Sequence, residues 1–192
     1  MPDDSSRRRR SRGKGSASRS VPPAPPPDPY KAALRLLSQR EYSSPGLRRV
    51  LERKFPGDER LASVIRRLKE KHFLDDRRFA EHSASSLLRH RGFGPHRIRR
   101  ELRAKHVPSD LISPVLDQIF EEVDERELVE RALEKKLRSL RGPLTRRRLD
   151  SLYRSLVRQG FSTGVIISTV RAHRELDGVE LSVPDAESEP EP

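Results

Sequence analysis

One pattern occurs three times in this chain, and that repetition limits the possible folds more than any other feature. Each copy runs in the order apolar amphipathic helix, basic helix, short apolar helix. The middle members align on Leu47-Arg48-Arg49-Val50-Leu51-Glu52-Arg53-Lys54-Phe55 and on Ile98-Arg99-Arg100-Glu101-Leu102-Arg103-Ala104-Lys105-His106. A looser third copy is Leu152-Tyr153-Arg154-Ser155-Leu156-Val157-Arg158-Gln159-Gly160. Leu47 and Ile98 are 51 residues apart, and Ile98 and Leu152 are 54 apart. Such a period marks stacked supersecondary units that bury their apolar faces against neighbours. The predicted fold is all-α: three tandem three-helix repeats, about nine helices, in an elongated, curved array. No alternation of β-branched residues is long enough for a strand pair, so strand content is expected near zero.

Composition agrees with small cores. Apolar residues make up 32% of the chain and aromatics 5%, too little for one large core. The net charge of +12 favours a polyanionic partner. That charge belongs mainly to the repeats: residues 31–174 carry 34 basic and 19 acidic side chains. Residues 1–29 are expected to be a disordered arm, first Arg/Ser-rich and then Pro-rich. Arg7–Arg10 suit either an electrostatic arm for nucleic acid or a solubilising tail. Residues 175–192 hold seven acids and no base and are expected to be a disordered acidic tail. The repeats are placed at 30–74, 75–120 and 121–174. There is no Cys, which excludes disulfides, thiolate metal sites and Cys nucleophiles and agrees with a reducing cytoplasm. No run approaches the ~18 apolar residues of a membrane helix. No apolar stretch follows the N-terminal arginines, so no secretory signal is expected.

Within repeat 1, Ala33, Leu34 and Leu37 line the first helix. Ser44-Pro45 supplies a cap with Pro at the first helical position. Leu47, Val50, Leu51 and Phe55 follow, Pro56-Gly57 breaks the helix, and Leu61, Val64, Ile65 and Leu68 form the third stripe. Repeat 2 opens with Asp75 as a cap between Leu74 and Phe79, the positions of a hydrophobic staple. Ala80, Ala84, Leu87 and Leu88 continue that face, and Arg91-Gly92-Phe93-Gly94-Pro95 turns into the middle helix. Leu111, Ile112, Val115, Leu116 and Ile119 make the third stripe, where Pro114 suits a helix capped by Ser113. Repeat 3 begins with a charged helix from about residue 121 to 140. Its stripe is Val129, Ala132, Leu133 and Leu137, and Arg141-Gly142-Pro143 ends it. Leu149, Leu152, Tyr153 and Leu156 follow. Val165, Ile166, Thr169, Val170 and His173 repeat the offsets of the third stripe in repeat 2.

The strongest chemical feature is the basic side of the middle helices. His96, Arg97, Arg99, Arg100 and Arg103 surround the side away from Ile98 and Leu102. Arg147, Arg154 and Arg158 share one stripe opposite Leu149, Leu152 and Leu156. These residues are the candidate interface, because Arg forms bidentate contacts with phosphate or carboxylate. The plainer reading is a solvated helix face, but recurrence in register in two repeats favours binding. Catalytic readings are weak. Asp75-Asp76 reads as capping, and Glu121, Glu122, Asp124, Glu125 and Glu127 suit a helix start. The His residues lack metal spacing, and no phosphate-binding Gly loop is present. No catalytic residue, metal or cofactor is expected.

Several segments resemble the RecX family. Gln39-Arg40-Glu41-Tyr42-Ser43 is similar to its "RREHS"-type opening. Phe73-Leu74-Asp75-Asp76-Arg77-Arg78-Phe79-Ala80 resembles its "G-L-L-D-D-x-R-F-A" signature. Arg91-Gly92-Phe93-Gly94-Pro95-His96-Arg97-Ile98-Arg99-Arg100-Glu101-Leu102 resembles its "R-x-G-Y-G-P-x-R-I-x-x-E-L" segment, with Phe93 for the usual Tyr. Arg158-Gln159-Gly160-Phe161-Ser162 is similar to its third-repeat "R-x-G-F" turn. The resemblance covers residues 31 to about 174. It implies a cytoplasmic, non-catalytic regulator of the RecA recombinase built from tandem three-helix units. Such a protein would bind the groove of the RecA–DNA filament, inhibit ATP hydrolysis and strand exchange, and promote disassembly. The expected partners are the RecA filament and, weakly and without sequence preference, single- and double-stranded DNA. A monomer and no membrane association are expected. Two other readings are a helix-turn-helix-type DNA-binding module and a phosphodiester-cleaving enzyme using the paired acids. The Arg-rich middle helices favour phosphates or acidic side chains over base edges, against the first alternative. The capping roles of the acids stand against the second.

Overall fold

The computed structural model describes residues 28–142 and 144–173, so the arm before residue 28 and the acidic tail lie outside the described residues. The described residues form nine α-helices and no strand. Repeat 1 holds α1 (Pro29–Gln39), α2 (Ser44–Lys54) and α3 (Leu61–Glu70). Repeat 2 holds α4 (Asp76–Ser86), a π-helical turn (Leu87–Arg91), α5 (Pro95–Ala104) and α6 (Ser109–Glu121). Repeat 3 holds α7 (Glu125–Ser139), α8 (Arg146–Gln159) and α9 (Thr163–Ala172).

Each repeat has its own core, built from the apolar stripes. Ala33, Leu47, Leu51, Leu61, Val64, Leu68 and Leu74 form the first. Phe79, Ala80, Ala84, Ile98, Leu102, Val107, Ile112, Val115 and Leu116 form the second. Val129, Leu133, Leu149, Leu152, Leu156, Phe161, Ile166 and Val170 form the third. The register between repeats is close. Ile112, Val115 and Leu116 are buried in α6, and Ile166, Thr169 and Val170 are buried at the same offsets in α9. A core of seven to nine apolar side chains is small for a three-helix unit standing alone, so the junctions between repeats carry weight.

Four local expectations change. The cap of α2 is Ser43, not Ser44: Ser43 is extended and its Oγ accepts from Gly46 N at 3.1 Å, while Ser44 is already the first helical residue. α6 starts at Ser109, so Pro114 lies inside the helix rather than at its start. The burial of Ile112 ahead of Pro114 holds the earlier turn in place despite the missing N–H. α7 starts at Glu125, because Asp124 caps it through Arg126 N at 2.8 Å. Leu74 and Phe79 join different cores, repeat 1 and repeat 2, so they straddle the junction rather than staple one helix. Asp75 does cap α4, accepting from Arg78 N at 3.0 Å.

Candidate nucleic-acid interface

The middle helices α2, α5 and α8 meet end to end. Every α-helix leaves carbonyls without partners at its C-terminus and N–H groups without partners at its N-terminus. Here one end completes the other. At the front of α5, Gly94 N donates to Gln159 O at 2.8 Å and His96 N donates to Gly160 O at 3.0 Å. At the front of α2, Ser43 Oγ donates to Lys105 O at 2.7 Å and contacts His106 O at 3.0 Å. In the repeat alignment Ser43 matches Gly94, Lys105 matches Gln159, and His106 matches Gly160, so the two joints are equivalent. His106 and Gly160 also share positive φ, 57° and 88°. Head-to-tail contact places the negative end of one helix dipole against the positive end of the next.

The joints admit almost no side chain. A Cβ on Gly94 would collide with the Gly160 carbonyl, and a Cβ on Gly160 would collide with Arg97 backbone. A Cβ on Gly46 would stand 3.2 Å from Lys105 O and 2.8 Å from Ser43 Oγ. These glycines matter because two backbones approach each other there.

Three arginines occupy one position on the outer faces of these helices: Arg49, Arg100 and Arg154, all exposed. Each stands two residues after a buried Leu47, Ile98 or Leu152. At about 100° per residue that is the side away from the core. His96 and Arg103 flank Arg100 on α5, and Arg147 and Arg158 flank Arg154 on α8, all exposed. Arg53 on α2 is equivalent to Arg158. The side chains of Arg53, Arg100, Arg103, Arg147 and Arg158 make no hydrogen bond or ion pair among the described residues. Arg154 Nε donates to Asp150 O at 3.2 Å, and Arg49 Nη1 lies 3.1 Å from His106 Nε2 across the joint.

Two of the expected interface residues are turned inward. Arg97 sits in the α5–α8 joint: its guanidinium lies 3.9 Å from the Phe93 ring centroid and Nη1 donates to Arg158 O at 3.1 Å. Its Nε stands 3.7 Å from Glu101. Arg99 reaches the other flank and donates to Ser113 Oγ at 2.8 Å. His96 Nε2 is 3.4 Å from Ser162 Oγ at the edge of the same joint. Arg49 and Arg53 were absent from the sequence-based candidates. Their signal was present in the alignment, which pairs Arg49 with Arg100 and Arg154, and Arg53 with Arg158.

The paired acids do structural work. Asp76 is buried and is not a cap. It accepts Ser44 N–H at 2.6 Å and pairs with Lys69 Nζ at 2.8 Å, tying α4 to repeat 1. Burial opposes its charge, yet the hydrogen bonds from Lys69 and Ser44 prevail and hold the carboxyl below the usual carboxylate range. Glu125 accepts from Ser162 N at 2.7 Å and from Ser162 Oγ at 3.0 Å, joining the starts of α7 and α9. Among the described residues no group of His, Asp or Glu could hold a metal ion. No helix among them is long and apolar enough to cross a membrane.

Comparison with known proteins places this geometry. Residues 75–116 match the model of the second three-helix domain of RecX. The regulatory protein RecX of Trichlorobacter lovleyi is 38% identical over 148 residues, covering 70% of this chain and 94% of the relative. That of Haemophilus influenzae is 35% identical over 127 residues, 66% of this chain and 82% of the relative. The RecX of Oceanobacillus iheyensis is 31% identical over 142 residues, but the chain spans only 52% of its length. These relatives carry the name of regulatory proteins, not of enzymes. A crystal structure of a regulatory protein RecX superposes with a TM-score of 0.65 at 25% identity, over 73% of this chain and 70% of the other. RecX from Lactobacillus salivarius shares the fold, with a TM-score of 0.62 at 20% identity, over 78% of this chain and 94% of the other.

Proposed function

This chain belongs to the RecX family, and from that premise we propose that it regulates the RecA recombinase in the cytoplasm. It binds the RecA–DNA filament, inhibits RecA ATP hydrolysis and strand exchange, and so modulates recombination, DNA repair and the SOS response. It acts as a monomer without catalysis of its own. The carrying observation is the equivalent placement of Arg49, Arg100 and Arg154 on helices joined end to end. A filament presents phosphates and acidic side chains at regular intervals, and a repeat protein answers with guanidinium groups at regular intervals. The outward face, with His96, Arg103, Arg147 and Arg158, contacts the filament or its DNA, while Arg97 and Arg99 hold the frame behind it.

The helix-turn-helix alternative needs the front of a recognition helix free to enter the major groove. The front of α5 is occupied: Gly94 N, His96 N and Arg97 Nη1 all bond to the end of α8. The occupied front of α5 supports contact with DNA through phosphates, independent of sequence. If it neutralises about four phosphates, log K for duplex DNA falls against log salt with a slope of about −3 to −4.

The test is co-sedimentation with RecA filaments on single-stranded DNA, with and without nucleotide, beside an assay of RecA ATPase. Replacing Arg49, Arg100 and Arg154 together by Gln leaves helix propensity nearly unchanged. Each exposed change costs within about 0.5 kcal/mol of stability. Filament affinity and inhibition are expected to fall roughly tenfold or more, about 1.4 kcal/mol. A triple variant that inhibits like the parent would show this face to be solvated surface only.

A further inference from the structure

A second basic surface is built from residues other than Arg49, Arg100 and Arg154. Between repeats 2 and 3 the structure holds an open groove of about 840 Å³. One wall is the π-helical turn, which exposes Arg89, His90 and Arg91 in succession and ends at Gly92 with φ of 60°. The other wall is α7, offering Arg131, Lys135 and Lys136. Leu88, Leu128, Ala132 and Phe161 form the apolar floor, and no carboxylate lines the groove. The cavity at the other junction differs, since Glu41 enters its lining and pairs with His82 at 2.6 Å.

Part of this charge is already engaged. Arg131 pairs with Glu127 at 2.9 Å, Lys136 donates to Ser155 Oγ at 2.7 Å, and Arg89 Nε donates to Ser85 O at 3.4 Å. His90, Arg91 and Lys135 have no such partner among the described residues. Arg131 and Lys135 stand one helical turn apart, about 6 Å. Charge is thus offered along the groove rather than at one point, and its volume exceeds that of a single phosphate. A chain of phosphates joined by sugars fits both features: the anionic groups meet the walls and the sugars meet the floor. A π-helical turn is a rare local irregularity, frequently found at functional sites. Among the described residues, only the first helix of repeat 2 ends in one.

We infer that the groove between α7 and the π-helical turn is a second binding site for the nucleic-acid backbone. It lets this protein hold a strand while the middle-helix face engages the filament. The inference rests on the proposed function for its biological setting, but it is tested without RecA. Arg91→Gln with Lys135→Gln is compared with Arg100→Gln with Arg154→Gln in the full chain. The probes are labelled oligothymidylate and a duplex of equal length, each followed by fluorescence anisotropy across a salt series. For the single strand, each lost phosphate contact shallows the log K against log salt slope by about 0.7, so the groove pair is expected to remove about 1.4. Bound oligonucleotide should protect Lys135 from chemical acetylation. The same variants then enter the RecA ATPase assay.

An unchanged slope for both probes, with Lys135 unprotected, overturns the groove site and leaves the proposed function standing. A change confined to the duplex or to the single strand supports the site and identifies the strand form it takes. If the groove pair loses filament binding yet keeps its DNA slope, the groove takes an acidic protein surface and the inference is wrong. RecA inhibition retained by both pairs would count against the middle-helix face as the contact, whereas a parent chain that does not inhibit RecA would count against the proposed function, whatever the DNA titrations show.

Discussion

The two junctions of this molecule perform one task by different means. Between repeats 2 and 3 the contact is largely backbone to backbone: Gly94 N to Gln159 O, and His96 N to Gly160 O. Between repeats 1 and 2 it is made by side chains: Ser43 Oγ to Lys105 O, and Asp76 to Ser44 N and Lys69. The same architecture thus has a joint where two glycines let backbones meet, with Arg97 beside them, and a joint specified by particular polar side chains. The first admits no Cβ at Gly94 or Gly160. The second yields to acid and to loss of a single carboxylate.

The largest expected effect is at Gly160. Gly160→Ala combines a φ of 88° with a collision against Arg97 backbone. Strain alone contributes about 1–3 kcal/mol, and the collision adds to it. Denaturant melts should show a loss of about 3 kcal/mol or more, with repeat 3 separating from repeat 2. Gly46→Ala, at the side-chain joint, should cost about 1 kcal/mol, because the Ser43 hydroxyl can turn away while only Lys105 O stands fixed. Equal losses at the two glycines would erase the contrast between the joints.

Asp76→Asn comes next. It keeps size and one acceptor but removes the charge that pairs with Lys69 and receives Ser44 N–H. An expected loss of about 2 kcal/mol follows from weakening charged hydrogen bonds at a buried site. It should appear in melts of the parent and variant at neutral pH. No change would mean that the joint is held by Ser43 alone.

The pH dependence sharpens the same point. The folded-state pKa of Asp76 lies below its unfolded value. Its stabilisation is therefore complete above the unfolded carboxylate range, about 4, and is lost as pH falls through the folded-state pKa. The stability difference between parent and Asp76→Asn should shrink to nothing across that acid window. The cost of Gly160→Ala should hold constant across it. A glycine cost that tracks pH would tie the joint between repeats 2 and 3 to a titrating group at its edge, such as His96 or Glu125 beside Ser162.

Much of the helical frame was legible in the chain. The apolar offsets located the cores, and Ile112, Val115 and Leu116 answer Ile166, Thr169 and Val170 as the pattern required. Such periodicity is local, since a helix repeats its faces every few residues whatever else the chain does. The ends of helices were less legible. Ser43 rather than Ser44 caps α2 because the chain is still extended at Ser43, whose Oγ is fixed by Lys105 O, 62 residues away. The outward arginines were half legible: the alignment contains Arg49, yet only the structure shows it exposed as Arg100 and Arg154 are.

Helix-forming periods, breakers and basic stripes were set by residues within a turn or two of one another, and the chain alone determined them. Which arginine faces out and which locks a joint depended on partners far along the chain. Arg97 bonds to a carbonyl 61 residues on, and Gly94 and Gly160 touch only because α8 ends where α5 begins. A single helix face cannot encode that meeting. The carbonyls and N–H groups left open at two helix ends have partners only once the repeats have stacked, so the tertiary structure alone decided it.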